Sequence, residues 1–320
     1  MIIVTGASGF IGSCIISKLN QEGITDILAV DVLRENDKWK NLRHLQFYDY
    51  IDRSQLMAYM ESSAGIKAII HMGACSATTE KDAHYLMENN YRYTLSLARY
   101  AIYTGMRFIY ASSAATYGKG EQGYDDDENQ LHTLTPMNMY GYSKQLFDLK
   151  AYRENWMGSI AGLKFFNVYG PNEYFKGDMA SVVFKAYNQI KSSGSVRLFK
   201  SHLPEYNDGE QLRDFLYIKD VVEVVYFLLQ HPAVNGLYNV GSGKARTFKD
   251  LVNATFDAMG KESNIKYIDM PPEIRDRYQY FTQASMDKMR AAGYDKPFYS
   301  LEEGITDYVR NYLMKNYRHY

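Results

Sequence analysis

The sequence predicts an α/β protein, a doubly wound parallel sheet with a smaller lobe interleaved into it. Three observations carry that prediction. The chain opens on a short apolar run, Ile2-Ile-Val-Thr5, and passes at once into Gly6-Ala-Ser-Gly9-Phe-Ile-Gly12 and helical periodicity over 11–21. Further apolar runs at 27–30, 68–71, 108–111 and 161–165 alternate with helical stretches, the rhythm of βαβ units. After Asn167 that rhythm loosens, and the run Gly236-Leu-Tyr-Asn-Val-Gly241 restores it. The expected division is a Rossmann-type dinucleotide-binding domain over 1–167, with 214–240 returning to it. Residues 168–213 and 241–320 form the expected substrate-binding lobe.

With 320 residues, 46% hydrophobic and 23% charged, the chain can bury a large core and still support a second lobe. A net charge of −1 supplies no overall field for nucleic acid or an anionic membrane, so neither is an expected partner. Cys14 and Cys75 lack metal-ligand spacing and read as small buried residues of a reduced compartment. The first residues show no basic n-region or apolar h-region. The longest apolar stretch, 221–229, is interrupted by Glu223 and too short to span a bilayer. A cytoplasmic location is the expectation.

In chain order, Gly6 permits a tight turn, Gly9 lets the backbone approach a pyrophosphate, and Gly12 lets the helix pack on the strand. The helix that follows offers phosphate its free N–H groups and positive dipole end. Asp31 ends the second strand, where an acid bonds ribose hydroxyls and favours NAD; Lys38 and Arg53 downstream could instead receive a 2′-phosphate. Asp49 reads either as an adenine contact or as a turn residue. His71 reads as strand-end packing, and Met72-Gly-Ala-Cys-Ser76 as a small-residue loop beside the cofactor. One of Asn89 and Asn90 is expected to find its partners near the nicotinamide side. Ser112, Ser113 and Thr116 put hydroxyls at a strand C-terminus, where open α/β sheets bind ligands. The acidic stretch Asp125-Asp-Asp-Glu128 reads as a solvated loop.

Tyr140-Gly-Tyr-Ser-Lys144 puts a phenol and an ammonium one helical turn apart. A free tyrosine titrates near ~10. Acid–base work at pH 7 requires lowering that by about 4 kcal/mol, roughly what one ammonium ~4 Å away supplies at an effective dielectric of ~20. With 30 tyrosines in the chain the pair alone is weak, and the glycine loop is what raises its weight. Arg213 suits a pyrophosphate, since a guanidinium bonds it bidentately.

The glycine loop, Ser113, Tyr117-Gly118, Tyr140 with Lys144, and Phe166-Asn-Val-Tyr-Gly-Pro171 together resemble the extended short-chain dehydrogenase/reductase family, whose members act mainly on nucleotide-activated sugars. The likeness is strongest to its branch that inverts carbon 6 of an ADP-activated heptose. It rests there on Gly73-Ala-Cys-Ser76, Lys176-Gly177 with Met179-Ala-Ser181, Arg277-Tyr-Gln279, Phe281-Thr-Gln-Ala284 and Arg290-Ala-Ala-Gly-Tyr-Asp-Lys-Pro-Phe298.

The resemblance implies redox-neutral epimerisation with Tyr140 and Lys176 as acid–base residues, Lys144 holding the ribose, and Ser113 orienting the hydroxyl. It implies a cofactor site of Gly6, Gly9, Phe10, Ile11, Gly12, Asp31, Val32, Lys38, Arg53, Met72, Gly73, Ala74, Cys75, Ser76, Asn89 and Lys144. It implies a sugar-nucleotide site of Ser113, Asn167, Asp178, Lys185, Phe199, Lys200, Ser201, His202, Arg213 and Tyr278. Asp178 and Lys185 depart from the serine and histidine usual there, and the 200–212 segment is longer than usual. NADP is the expected cofactor, with NAD as the alternative, and a homo-oligomer, pentameric by resemblance, is the expected assembly. No metal is expected. Hexose 4-epimerisation and nicotinamide sensing are the competing functions. A 4,6-dehydratase would carry Asp-Glu after Ser113, where this chain has Ala114-Ala115.

Overall fold

The computed structural model describes residues 1–275 and 278–320, so Arg277 of the Arg277-Tyr-Gln279 motif lies outside the described residues. Its strands are β1 (Ile2–Thr5), β2 (Ile27–Asp31), β3 (Asp49–Asp52), β4 (Ala68–His71), β5 (Arg107–Ser113), β6 (Ile160–Phe165), β7 (Asn167–Tyr169), β8 (Val196–Phe199), β9 (Leu212–Tyr217), β10 (Gly236–Val240), β11 (Ala245–Thr247) and β12 (Ile265–Ile268). Seven form one sheet in the order β10-β6-β5-β4-β1-β2-β3. Every pairing in it is parallel, with Val4 opposite Ala29 on one side and Ile70 on the other. β1, β4 and β6 are buried at every residue, because helices cover both faces.

The chain leaves β1 toward β2 and β3 and later returns to β4 on the other flank. The strand order therefore reverses between β1 and β4, which opens a crevice at their C-terminal ends. Two smaller sheets stand beyond it, β11-β9-β7 and β12-β8. The 212–217 segment thus belongs to the second sheet, while the Ile218–Gln230 helix and β10 bring the chain back to the first.

Asp49 is the exposed first residue of β3 and accepts the Tyr50 N–H at 2.8 Å, so it is a strand residue and not a turn residue. The acidic stretch is a correction. Asp126 is buried and its Oδ2 accepts the Asn239 N–H at 2.6 Å, while Glu128 Oε1 accepts the Leu237 N–H at 2.8 Å and Lys288 Nζ at 2.6 Å. Both carboxylates bond β10, more than 100 residues away, so local composition alone gave no sign of it. Among the described residues, no helix is long and apolar enough to cross a membrane, and no group of His, Cys, Asp or Glu is placed to hold a metal.

Candidate active site

The glycine loop builds the floor of the crevice. A Cβ on Gly12 would lie 2.1 Å from the Gly6 carbonyl oxygen, and one on Gly6 (φ +66°) 2.7 Å from the Gly73 nitrogen. Only glycine allows β1, the loop and the segment after β4 to come this close. Gly9 caps the Phe10–Gln21 helix without a side-chain bond, leaving first-turn N–H groups available to an anion.

At the end of β2, Asp31 accepts Ser8 N at 2.9 Å, Ser8 Oγ at 2.6 Å and Lys38 Nζ at 2.6 Å. Asp31, Val32, Arg34, Lys38, Arg53 and Asn89 line one pocket, with Arg53 stacked over the Tyr93 ring. Asn89 and Asn90 sit in a six-residue π-helical stretch, Met87–Arg92, which widens the helix and turns both side chains inward. Asn90 is structural, bonding Cys75 N, Cys75 O and Ser143 Oγ. Asn89 Oδ1 is buried with no hydrogen-bond partner. An orphaned acceptor beside three cations, together with the glycine cradle, fits an adenosine carrying phosphate.

The main cleft is lined by Gly6, Gly9, Phe10, Ile11, Gly12, Met72, Gly73, Ala74, Cys75, Ser76, Ser113, Tyr140, Lys144, Asn167 and Lys176. The sequence had separated these by up to 170 positions. Tyr140 and Lys144 enter from the Met139–Arg153 helix, whose cap is Asn138 accepting the Gly141 N–H at 2.8 Å. Gly141 lets that helix touch the turn after β5, since a Cβ there would stand 2.6 Å from the Ala115 oxygen.

Lys144 Nζ donates to the Ala111 oxygen at 2.8 Å, and burial pushes its pKa down to about 8. Burial raises the Tyr140 phenol, while the Ser113 side chain pulls it back. In the protein alone, desolvation therefore outweighs the lowering that the Tyr–Lys spacing suggested. Lys176 reaches the cleft from the loop after β7 with Nζ 5.3 Å from the centre of the Phe10 ring, and burial lowers its pKa, which Glu173 partly offsets. Buried Glu173 shapes that wall by accepting Ser181 N at 2.6 Å, Ser181 Oγ at 2.7 Å and Gly170 N at 3.3 Å. His71 is packing: its ring meets Thr5 Oγ1 at 2.7 Å and Thr94 Oγ1 at 2.9 Å, and burial pushes its pKa down to about 3.

Ser113 and Asn167 line the main cleft, and the other expected sugar-nucleotide residues fall into three groups. Arg213 lies over the Tyr278 ring at 5.2 Å and the Phe248 ring at 5.7 Å, and Phe199 meets Tyr278 edge-on at 6.5 Å. Phe248 also lines the main cleft and so joins this cluster to it. Ser201 and His202 line a separate open pocket, and Lys200 pairs with Asp269 at 3.1 Å. Asp178 and Lys185 do not line the cleft; Lys185 Nζ donates to the Asp178 carbonyl at 2.6 Å. Sequence reasoning missed Arg34, Phe175 and Phe248. Arg34 was three residues beyond the strand end flagged at Asp31; the two phenylalanines carried no local signal.

A phenol and two ammonium groups thus line one cleft with the glycine cradle. Known proteins resemble the chain in sequence and fold. Residues 2–241 match the NAD dependent epimerase/dehydratase family. The chain is 57% identical over 316 residues to ADP-L-glycero-D-manno-heptose-6-epimerase of Nitratidesulfovibrio vulgaris, covering 98% of each chain. It is 53% identical over 327 residues to the Fusobacterium nucleatum protein of that name, again covering 98% of each. The crystal structure of Helicobacter pylori ADP-L-glycero-D-manno-heptose-6-epimerase superposes with a TM-score of 0.83 at 29% identity, over 97% of this chain and 95% of that one. The chain belongs to the NAD dependent epimerase/dehydratase family.

Proposed function

We propose that the chain inverts carbon 6 of ADP-D-glycero-D-manno-heptose to give the L-glycero epimer, with no net oxidation. The observation that carries this reading is that Tyr140 and Lys176, two groups able to exchange a proton, line one cleft together with the glycine cradle. Inversion needs a proton partner for the carbinol oxygen on each approach, and two such groups supply two. A nicotinamide cofactor, when bound, supplies reversible hydride acceptance. Tyr140 takes and returns the hydroxyl proton, and Ser113 orients that hydroxyl. Lys144 holds the cofactor ribose and stabilises the phenolate, and Lys176 serves the second face. The Arg213–Tyr278–Phe199 cluster, through Phe248, holds the nucleotide end, a guanidinium between aromatic rings being suited to pyrophosphate beside a planar base.

NADP is the cofactor in this reading, supported by Arg34, Lys38 and Arg53 around the ribose pocket. A cytoplasmic homo-oligomer belongs to the same reading. Ala114 and Ala115 after Ser113 offer no acid–base group, which sets the 4,6-dehydratase chemistry aside. The test is to incubate purified protein with ADP-D-glycero-D-manno-heptose and follow both epimers by NMR while recording nicotinamide absorbance. Interconversion at constant absorbance supports the reading; stoichiometric accumulation of reduced cofactor overturns it.

A further inference from the structure

Directly beneath the cleft lies a buried charged pair that the reaction scheme leaves idle. We propose that Asp148, supported by Lys164, is a positioning residue that keeps Lys144 in its ammonium form and fixes where that ammonium stands. This rests on the acid–base role proposed for Tyr140 and Lys144.

Tyr140, Lys144 and Asp148 follow one another at four-residue spacing on a single face of the Met139–Arg153 helix. Three consecutive residues of β5 grip the last two. Tyr110 Oη donates to Asp148 Oδ1 at 2.9 Å, Ala111 O accepts Lys144 Nζ at 2.8 Å, and Ser112 Oγ donates to Asp148 Oδ2 at 2.6 Å. From β6, Lys164 Nζ stands 3.6 Å from Asp148 Oδ2, donates to Thr116 Oγ1, and lies 4.5 Å from the centre of the Tyr117 ring. Asp148 and Lys164 are both fully buried, and neither lines the cleft.

Burial raises the Asp148 carboxyl, and Lys164, Ser112 and Tyr110 oppose that rise; two hydroxyl donors and an ammonium aimed at one carboxyl group suit its ionised, acceptor-only form. Lys164 pairs with the carboxylate directly, while Lys144, one helical turn back and held on the Ala111 oxygen between Tyr110 and Ser112, is its neighbour beyond ion-pair distance. The other groups facing Lys144 bring no anion. His71 on β4 is held neutral, its pKa pushed down to about 3, and burial raises the Cys75 thiol after β4 and the Tyr140 phenol on the same helix. Burial lowers Lys144, and Asp148 is the largest influence opposing it. A pair serving only the fold could be replaced by well-packed apolar side chains without penalty. Here the carboxylate has a dependent at the reaction centre, and that difference can be read.

The experiment measures the Lys144 titration in the cofactor-bound protein in two ways: the pH midpoint of Lys144 acylation, by peptide mass spectrometry, and the alkaline limb of kcat/KM. Asp148→Asn is expected to move both midpoints to lower pH by about one pH unit or more. Lys164→Met, which removes the cation that holds the Asp148 carboxyl ionised, is expected to move both in the same direction by less. Asp148→Glu, which restores a carboxylate, is expected to bring both midpoints back toward the parent, which general damage to the fold does not do. Should Asp148→Asn not fold, Lys164→Met and Ser112→Ala decide, the latter with a smaller acid shift. Midpoints that stay put while the rate changes overturn the proposal. A shifted acylation midpoint in a protein that does not epimerise the heptose upholds Asp148 and overturns the substrate reading; turnover with unmoved midpoints does the reverse.

Discussion

Lys176 holds its ammonium 5.3 Å from the centre of the Phe10 ring, so the residue proposed as the second proton partner meets the helix that follows the glycine loop. The contact places Lys176 by packing, whereas Glu173 secures the loop that carries it. Lys176→Met should keep the fold and the bound cofactor yet slow epimerisation by about 10²–10⁴-fold. NMR rates from each epimer, with cofactor quantified after denaturation, check this; unchanged rates in both directions would remove Lys176 from the proton scheme.

Tyr140→Phe deletes one oxygen in a wall otherwise left intact. Turnover should fall by a similar factor of about 10²–10⁴, with the melting temperature within a few degrees of the parent. Full activity in that variant would sink the assignment of the phenol.

Lys144 supplies a pH dependence whose sign differs between activity and stability. Burial pushes its pKa down to about 8, so the ammonium is present at pH 7 and is lost as pH climbs past 8. Turnover that needs the cation should fall there by roughly tenfold per pH unit. The native value lies below the ordinary 10.5, so between pH 8 and 10.5 the native state holds fewer protons than the unfolded chain. This group's contribution to stability therefore rises with pH through that window. Paired kcat/KM and thermal-melting profiles test it, and a rate loss that tracks unfolding would assign the limb elsewhere.

Gly12→Ala forces a methyl group to within 2.1 Å of the Gly6 oxygen, so the loop must open. The expected cost is about 1–3 kcal/mol of stability and at least a tenfold loss of dinucleotide affinity, measured by calorimetry on the cofactor-free protein. Affinity equal to the parent's would mean the cradle is not where the pyrophosphate sits.

Arg53→Ala tests cofactor choice. If the Arg34, Lys38 and Arg53 pocket receives a 2′-phosphate, NADP affinity should drop about tenfold or more while NAD affinity stays within twofold. Equal losses for both would assign Arg53 to the shared adenosine.

The glycine loop and the first strands were legible because their information is local. Residues 2–12 contain the strand, the turn and the helix start together, and β1 and β4 have the bounds that their apolar runs indicated. Tyr140 and Lys144 were legible for the same reason, being one turn apart. What escaped depends on partners far along the chain. Asn41 gives no sequence signal, yet its Nδ2 bonds Ser8 O and Asn172 O and its Oδ1 meets His319 Nδ1 at 2.7 Å, so it joins the glycine loop to residues 131 and 278 positions from Asn41 itself. Phe248 opens a helix whose apolar face reads as ordinary core, and only the folded chain shows that it borders both the cleft and Arg213. The acidic stretch was misread because a run of like charges looks solvated until its hydrogen-bond partners are in place.

The Asp126 and Glu128 carboxylates occupy the outward N–H groups of Asn239 and Leu237, on the margin of the large sheet where β10 has a neighbour on one side only. A bare margin of that kind invites an extra strand from another molecule. Two carboxylates, one of them paired with Lys288, now fill the positions an incoming carbonyl would need. Addition of a strand from another molecule is blocked along this stretch of β10.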